Sequence, residues 1–227
     1  MEVAVLGSGV VGRTLAGKIS SLGHQVALGT RDVEALMART DTVMGSDESF
    51  GEWHGAHASV SVKTFPEAAA NAELIFVATS GTATLDALRS TGAENLEGKI
   101  LVDVTNPLDF SKGFPPVLSI CNDDSLGEQI QRTFPAAKVV KSLNTVGAPL
   151  MIAPDSVGAG EHHIFVSGDD ASAKDRVADV LREWFGWRNI IDLGDITTSR
   201  GTEMYLALWI RMMGSLGTAM FNVAVVR

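Results

Sequence analysis

Three glycines pose the first chemical question. In "EVAVLGSGVVGRTLAGKISSLG" they stand at Gly7, Gly9 and Gly12, spaced G-x-G-x-x-G, after an apolar run and ahead of a helical pattern. In that setting Gly7 makes a tight turn, Gly9 lets the backbone approach a pyrophosphate, and Gly12 lets the helix lie close on the strand. The backbone around Ser8, Val10 and Val11 then presents N–H groups to phosphates, with the partial positive charge of the helix start behind them. The spacing predicts a dinucleotide site.

The next run, "HQVALGTRDVEAL", bears on which dinucleotide. NAD sites place a carboxylate where the second strand ends, to accept hydrogen bonds from the ribose. Here the chain reads Gly29-Thr30-Arg31. A glycine there leaves room, Thr30 offers a hydroxyl, and Arg31 offers a planar fork to a 2′-phosphate. Asp32 lies 20 residues after Gly12, so counting alone permits NAD, but its simpler use is to cap the helix starting near Val33. Charge pairing favours NADP.

Acid–base candidates are few. Tyr205, the single tyrosine, falls in an apolar terminal segment where core packing is the default. Lys141 follows a buried-looking strand beside Asn144, and its default is a strand-end lysine with its head in solvent. His54 and His57, with Glu52 and the pair His162–His163, invite a zinc reading, but the glycine-rich context reads as a loop and no third ligand follows at close spacing. No metal is expected, no catalytic acid is named, and no G-x-S-x-G elbow supports hydrolysis.

The elements that must position these residues read as alternating strands and helices around a parallel sheet. Strands are expected at 3–6, 25–28, 74–79, 99–104, 138–143, 163–167 and 189–193, with a weaker one at 59–62. Helices are expected at 11–22, 82–89 and 125–134, and from about 202 to the end. In "ASAKDRVADVLREWFG", Val177, Val180, Leu181, Trp184 and Phe185 share one helical face. Asp169 or Asp170 is placed to cap that helix and Gly186 to close it. Stretches 40–58 and 109–124 read as loops. The expected fold is α/β, a Rossmann-type doubly wound parallel sheet over residues 1–145 with a small C-terminal α/β cap over 146–227.

Composition narrows the function classes. A net charge of −9 without basic clusters argues against nucleic acid and anionic membrane surfaces. Cys121 is the single cysteine, which fits a reducing cytoplasm, and the acidic N-terminus does not resemble a signal peptide. The uncharged run after Arg211 is 15 residues, short of the ~20 of a membrane span. Met204, Met212, Met213 and Met220, with Trp209 and Phe221, are read first as core or subunit interface, then as a pocket for a planar ring.

Several motifs in order, "VLGSGVVG", "LGHQVALGTRD", "LIFVATSGTAT", "GKILVDVTNPL", "VVKSLNTVGAPLM" and "IDLGDITTSRGTE", resemble the NADPH-dependent reductases of coenzyme F-420, a 5-deazaflavin. The chain is also similar to the cytosolic oxidoreductase domain of the six-transmembrane metalloreductases. The resemblance implies NADP with its phosphate on Thr30 and Arg31, and the nicotinamide ribose near Thr79-Ser80-Gly81. It implies the nicotinamide near Asn144, Thr145 and Ala148, with Asn106 also in the cofactor site. The reductases more often read His-Thr-Ile-Pro-Ala where this chain has Asn-Thr-Val-Gly-Ala, closer to the metalloreductase version. The terminal helices would form part of an acceptor pocket and a homodimer contact.

Hydride transfer between a nicotinamide and a flavin-like ring needs the rings face to face at about 3–3.5 Å and no obligatory side-chain acid. The leading expectation is therefore a cytoplasmic oxidoreductase passing hydride between NADPH and coenzyme F-420 or a flavin. A reductase of a small carbonyl or imine, and a non-catalytic NADP sensor, stand as alternatives.

Overall fold

The computed structural model describes residues 1–43 and 45–227. β1 (Glu2–Leu6) runs into α1 (Val10–Ser21), and β2 (Gln25–Thr30) follows. After β2 come α2 (Val33–Met37), α3 (Phe50–Ala56), β3 (Ser61–Thr64) and α4 (Phe65–Ala69). β4 (Leu74–Val77), α5 (Thr84–Thr91) and β5 (Ile100–Asp103) lead to a small antiparallel hairpin, β6 (Leu108–Asp109) with β7 (Val117–Leu118). Then come α6 (Leu126–Thr133), β8 (Lys138–Ser142), α7 (Ala148–Ile152), β9 (His163–Ser167), α8 (Ala171–Val180), β10 (Asn189–Asp192) and α9 (Ser199–Leu216).

Eight strands form one sheet in the order β10-β9-β8-β5-β4-β1-β2-β3. Every neighbouring pair is parallel except β8 with β9, which meet antiparallel through Lys141 opposite Ser167 and Ser142 opposite Val166. Val3–Leu6 of β1 and all of β4 are apolar and buried because both faces are covered. One face packs Leu15, Ile19, Trp53, Leu150, Val177 and Trp184. The other packs Phe65, Ala69, Leu88, Leu126 and Ile130. This is the expected Rossmann-type architecture. The expected division near residue 145 falls just after β8, and β9 and β10 then extend the edge of the same sheet.

Stretch 40–58 departs from the loop expectation, because α3 occupies its end. Ser49 and Glu52 form a reciprocal capping box there, a start signal hidden among glycine and polar residues. His54 consequently sits on a helix and His57 at its C-cap. His54 Nε2 is 3.1 Å from the Val60 carbonyl, and His57 Nδ1 is 2.8 Å from that of Trp53. The His57 ring stacks on Trp53 and fills the space that Gly17 of α1 leaves open. These rings are packing elements, not the exposed loop histidines expected.

The amphipathic helix begins as expected, with Asp170 accepting from the Ala173 N–H. Its last turn, Leu181–Phe185, widens to π geometry before Gly186 ends it in the left-handed region. That widening keeps Leu181, Trp184 and Phe185 together in the core.

Candidate active site

At the C-terminal ends of β1, β2 and β4 lies a cleft of about 820 Å³. Gly7, Ser8, Gly9, Thr30, Arg31, Thr79 and Ser80 all line it, so one wall collects residues from three separate segments of the chain. Val10, Val11 and Gly12 continue from that wall into α1.

The glycines separate by role. Gly7 turns at φ +123°, and a Cβ there would strike the Ala78 carbonyl. A Cβ on Gly12 would overlap the Gly7 carbonyl oxygen, so the close approach of α1 to the turn requires glycine. Nothing lies within 4 Å of where a Gly9 Cβ would be, so that position faces open cleft. Gly9 is also the N-cap of α1, and no side chain caps it. The first-turn N–H groups are thereby left for a ligand, as a phosphate group needs.

Arg13, which the sequence reading passed over, braces this turn. Its Nε donates to the Ser8 carbonyl at 3.0 Å, its Nη1 donates to that of Glu48 at 3.2 Å, and its guanidinium lies 5.3 Å over the Phe50 ring. Burial and the nearby Arg39 lower its pKa.

At the end of β2 the structure revises the reason for Gly29. A Cβ at Gly29 would crowd Leu6, Phe65 and Ala68 at 2.8–3.3 Å, so its missing side chain serves packing under α4. Thr30 and Arg31 both line the cleft, Thr30 buried and Arg31 exposed. Asp32 also lines it, yet its Oδ1 accepts from the Ala35 N–H at 2.9 Å and so caps α2. A further cation, Arg39, stands on the same wall with its Nε 3.3 Å from Asp41 and a buried, unpartnered Nη2. No pattern in the sequence pointed to Arg39, which follows the short α2.

The remaining expected residues lie outside this wall and form a neighbouring cluster. Asn106 Nδ2 donates to the Asn144 carbonyl at 2.8 Å, and Asn144 Nδ2 donates to Asn106 Oδ1 at 2.9 Å. Leu143, buried with φ +62°, turns the chain out of β8 so that Asn144 faces Asn106. A non-glycine residue in that region costs roughly 1–2 kcal/mol, strain of the kind that gathers at functional sites. Thr145 is buried with an unpartnered hydroxyl, and Ala148 opens α7. The two clusters touch where the Gly81 backbone presses on the Asn106 carbonyl, an approach that a Cβ on Gly81 would forbid.

Lys141 overturns its expected role. Its side chain is 1% exposed, and Nζ reaches Asp103 Oδ2 at 2.9 Å and Glu203 Oε1 at 2.7 Å. The solvent-facing expectation failed because Glu203 arrives from α9, far along the chain. That helix docks through a polar seam: Ser125 and Ser199 hydroxyls 2.7 Å apart, and Arg200 paired with Glu128. The Arg200 hydrogen bonds hold the Glu128 carboxyl below its ordinary value.

The rest of α9 is less covered than a core helix. Leu206 and Ile210 are buried, while Leu208 and Leu216 are more than half exposed. Tyr205 OH and Trp209 Nε1 are buried without partners, and burial raises the tyrosine pKa. Among the described residues no group of three or more His, Cys, Asp or Glu could hold a metal, and no helix is long and apolar enough to cross a membrane.

Comparisons with known proteins agree with this geometry. Residues 2–107, the segment carrying the cleft, match the family described as NADP oxidoreductase coenzyme F420-dependent. The F420-dependent NADP reductase of Methanothermobacter marburgensis is 27% identical over 216 residues, covering 93% of this chain and 92% of that protein. Metalloreductase STEAP3 of Rattus norvegicus is 30% identical over 218 residues, which span 94% of this chain but 37% of the rat protein. A crystal structure from Arthrobacter sp. FB24, provisionally described as an F420-dependent NADP-reductase, is 53% identical with a TM-score of 0.94 and full coverage of both chains. The glycine turn, the cleft and these likenesses together place the chain in the family of coenzyme F-420-dependent NADP oxidoreductases, and so among the NADP-dependent oxidoreductases.

Proposed function

We propose that the chain binds NADPH in the cleft and exchanges hydride with a deazaflavin, coenzyme F-420, or a flavin of similar shape. The observation that carries this reading is the end of β2. Thr30, Arg31 and Arg39 line the wall there, position 29 has no space for a carboxylate, and Asp32 is engaged as a helix cap. Such a wall suits a dianionic 2′-phosphate better than a bare ribose hydroxyl.

When bound, NADPH supplies the hydride. The protein's part is binding and orientation. Gly9 and the uncapped start of α1 would hold the pyrophosphate, and Thr30 with Arg31 would hold the 2′-phosphate. Thr79 and Ser80 would flank the ribose on the nicotinamide side. The Asn106–Asn144 pair, with Thr145 and Ala148, would set the nicotinamide plane. A cytoplasmic homodimer joined through the exposed apolar residues of α9 belongs to the same proposal, and light scattering at twice the chain mass would support it.

The test is anaerobic mixing of the protein with NADPH and oxidised coenzyme F-420 while following deazaflavin absorbance. Rapid bleaching, much slower with NADH, is expected. Binding of NADPH without bleaching would remove the deazaflavin as acceptor and turn the search to flavins and to carbonyl or imine substrates.

A further inference from the structure

The ammonium of Lys141 is the meeting point of four elements. Its three protons have three acceptors: Asp103 Oδ2 at the end of β5, the Thr105 carbonyl at 2.6 Å, and Glu203 Oε1 in α9. No N–H is left over, which leaves Lys141 nothing to donate to a substrate. Asp103 Oδ1 accepts from the Thr105 N–H at 2.9 Å and from the Thr105 hydroxyl at 2.6 Å. Glu203 accepts from the Leu126 and Gly127 N–H groups at 2.8 and 3.0 Å, the first N–H groups of α6. Side chains of both carboxylates are at most 1% exposed.

Burying one cation with two anions is costly unless every polar atom is matched, and a half-matched network is worse than none. Here the excess negative charge rests on the start of α6, where peptide dipoles favour it. Burial opposes the lysine charge, but the two carboxylates hold its pKa above the ordinary value. An apolar side chain would serve simple packing at lower cost, so the network's geometry needs another reason. Its output is the turn after β5. The Thr105 carbonyl that Lys141 grips immediately precedes Asn106, and Asn106 locks Asn144.

We propose that Lys141 is a positioning residue. Its ammonium fixes the 103–106 turn, and through it the Asn106–Asn144 pair, to the first turns of α9, so that the terminal helix sets the nicotinamide side of the cleft. This rests on the NADPH assignment above and does not depend on the acceptor.

The test separates the two halves of the cofactor. Titrations use NADPH, followed by nicotinamide fluorescence, and 2′,5′-ADP, which carries only the adenosine phosphates. In Glu203→Gln and Lys141→Met the affinity for 2′,5′-ADP should stay within about twofold of wild type, while NADPH binding weakens roughly five- to tenfold, about the worth of one lost hydrogen bond. The fluorescence of bound NADPH should also move toward that of free NADPH. A purely architectural lysine would change both affinities alike or neither, and either result overturns the proposal. Lys141→Met leaves two facing carboxylates and is the variant at risk of misfolding, so Glu203→Gln decides. If Glu203→Gln itself does not fold, the network is architectural and the proposal falls. Wild-type protein that binds neither probe would instead overturn the cofactor reading, and the positioning role with it.

Discussion

The Gly7 N–H donates to the Gly29 carbonyl at 3.0 Å, so the turn after β1 is hydrogen-bonded directly to the end of β2. Residues proposed to take the pyrophosphate and residues proposed to take the 2′-phosphate are therefore held in one frame, one peptide apart from Thr30. The selectivity prediction follows from that frame. Arg31→Ala should weaken NADPH binding by about 1.5–3 kcal/mol, the worth of a charge-assisted hydrogen bond, and leave NADH nearly untouched. Paired titrations with both cofactors check it, and equal losses would take Arg31 away from the phosphate.

Gly9 and Gly12 should fail differently when each is changed to alanine. Gly12→Ala sets a Cβ against the Gly7 carbonyl, a backbone clash with no flexible side chain to yield. Overpacking of that kind costs typically 1–3 kcal/mol, so the Tm should fall along with cofactor binding. Gly9→Ala meets nothing in the free protein, and as a helix cap it should cost under about 1 kcal/mol. Its Cβ would instead occupy open cleft, and NADPH affinity should fall at nearly constant Tm. Thermal melts with and without NADPH distinguish the pair.

Asn144→Ala should leave Asn106 Oδ1 without its buried donor, a loss of about 1–3 kcal/mol in stability. NADPH binding should weaken by about the worth of one hydrogen bond, roughly five- to tenfold, and hydride transfer should slow by more than that, because the pair is proposed to set the angle of the ring as well as to hold it. Single-turnover rates set against binding constants read this directly. A proportionate change in both would assign the pair to binding.

Tyr205→Phe bears on the rival chemistry. The hydroxyl is buried and unpartnered, so its removal should leave stability unchanged or raise it by about 1 kcal/mol. Hydride transfer to a flavin-like ring should proceed at the wild-type rate, since it needs no proton from a side chain. A collapse of turnover with folding intact would make Tyr205 a proton donor and favour a carbonyl or imine substrate.

The glycine roles, the strands and the cap of α8 were legible because each depends on residues adjacent in sequence. Gly7 turns its own backbone, Gly12 packs against that turn, and the β-branched runs mark strands wherever both faces are covered. What stayed hidden depends on partners far along the chain. Lys141 reads as a strand-end lysine until Glu203 closes over it from α9. The α3 start was masked because Ser49 and Glu52 look like loop residues unless the reciprocal cap is seen. Gly29 suggested an opening for a ligand, whereas its neighbours Leu6 and Phe65 belong to other elements and use the space themselves.

The reversal of direction between β8 and β9 has an architectural consequence. Lys141 faces Ser167 and Ser142 faces Val166, so the two strands overlap only at their C-terminal ends. Continuing that register carries the beginning of β9 past the end of β8, level with the loop of Asn144 and Thr145. There the His163 N–H donates to the Val223 carbonyl, and the Ala219 carbonyl lies against Gly147. A strand that overshoots its neighbour acts as a cantilever: it carries the segment after α9 out over the loop. A single sheet in this way furnishes both the floor of the cleft and the bracket for the terminal segment, and a swap of that segment between relatives would have to bring β9 along to keep its anchor.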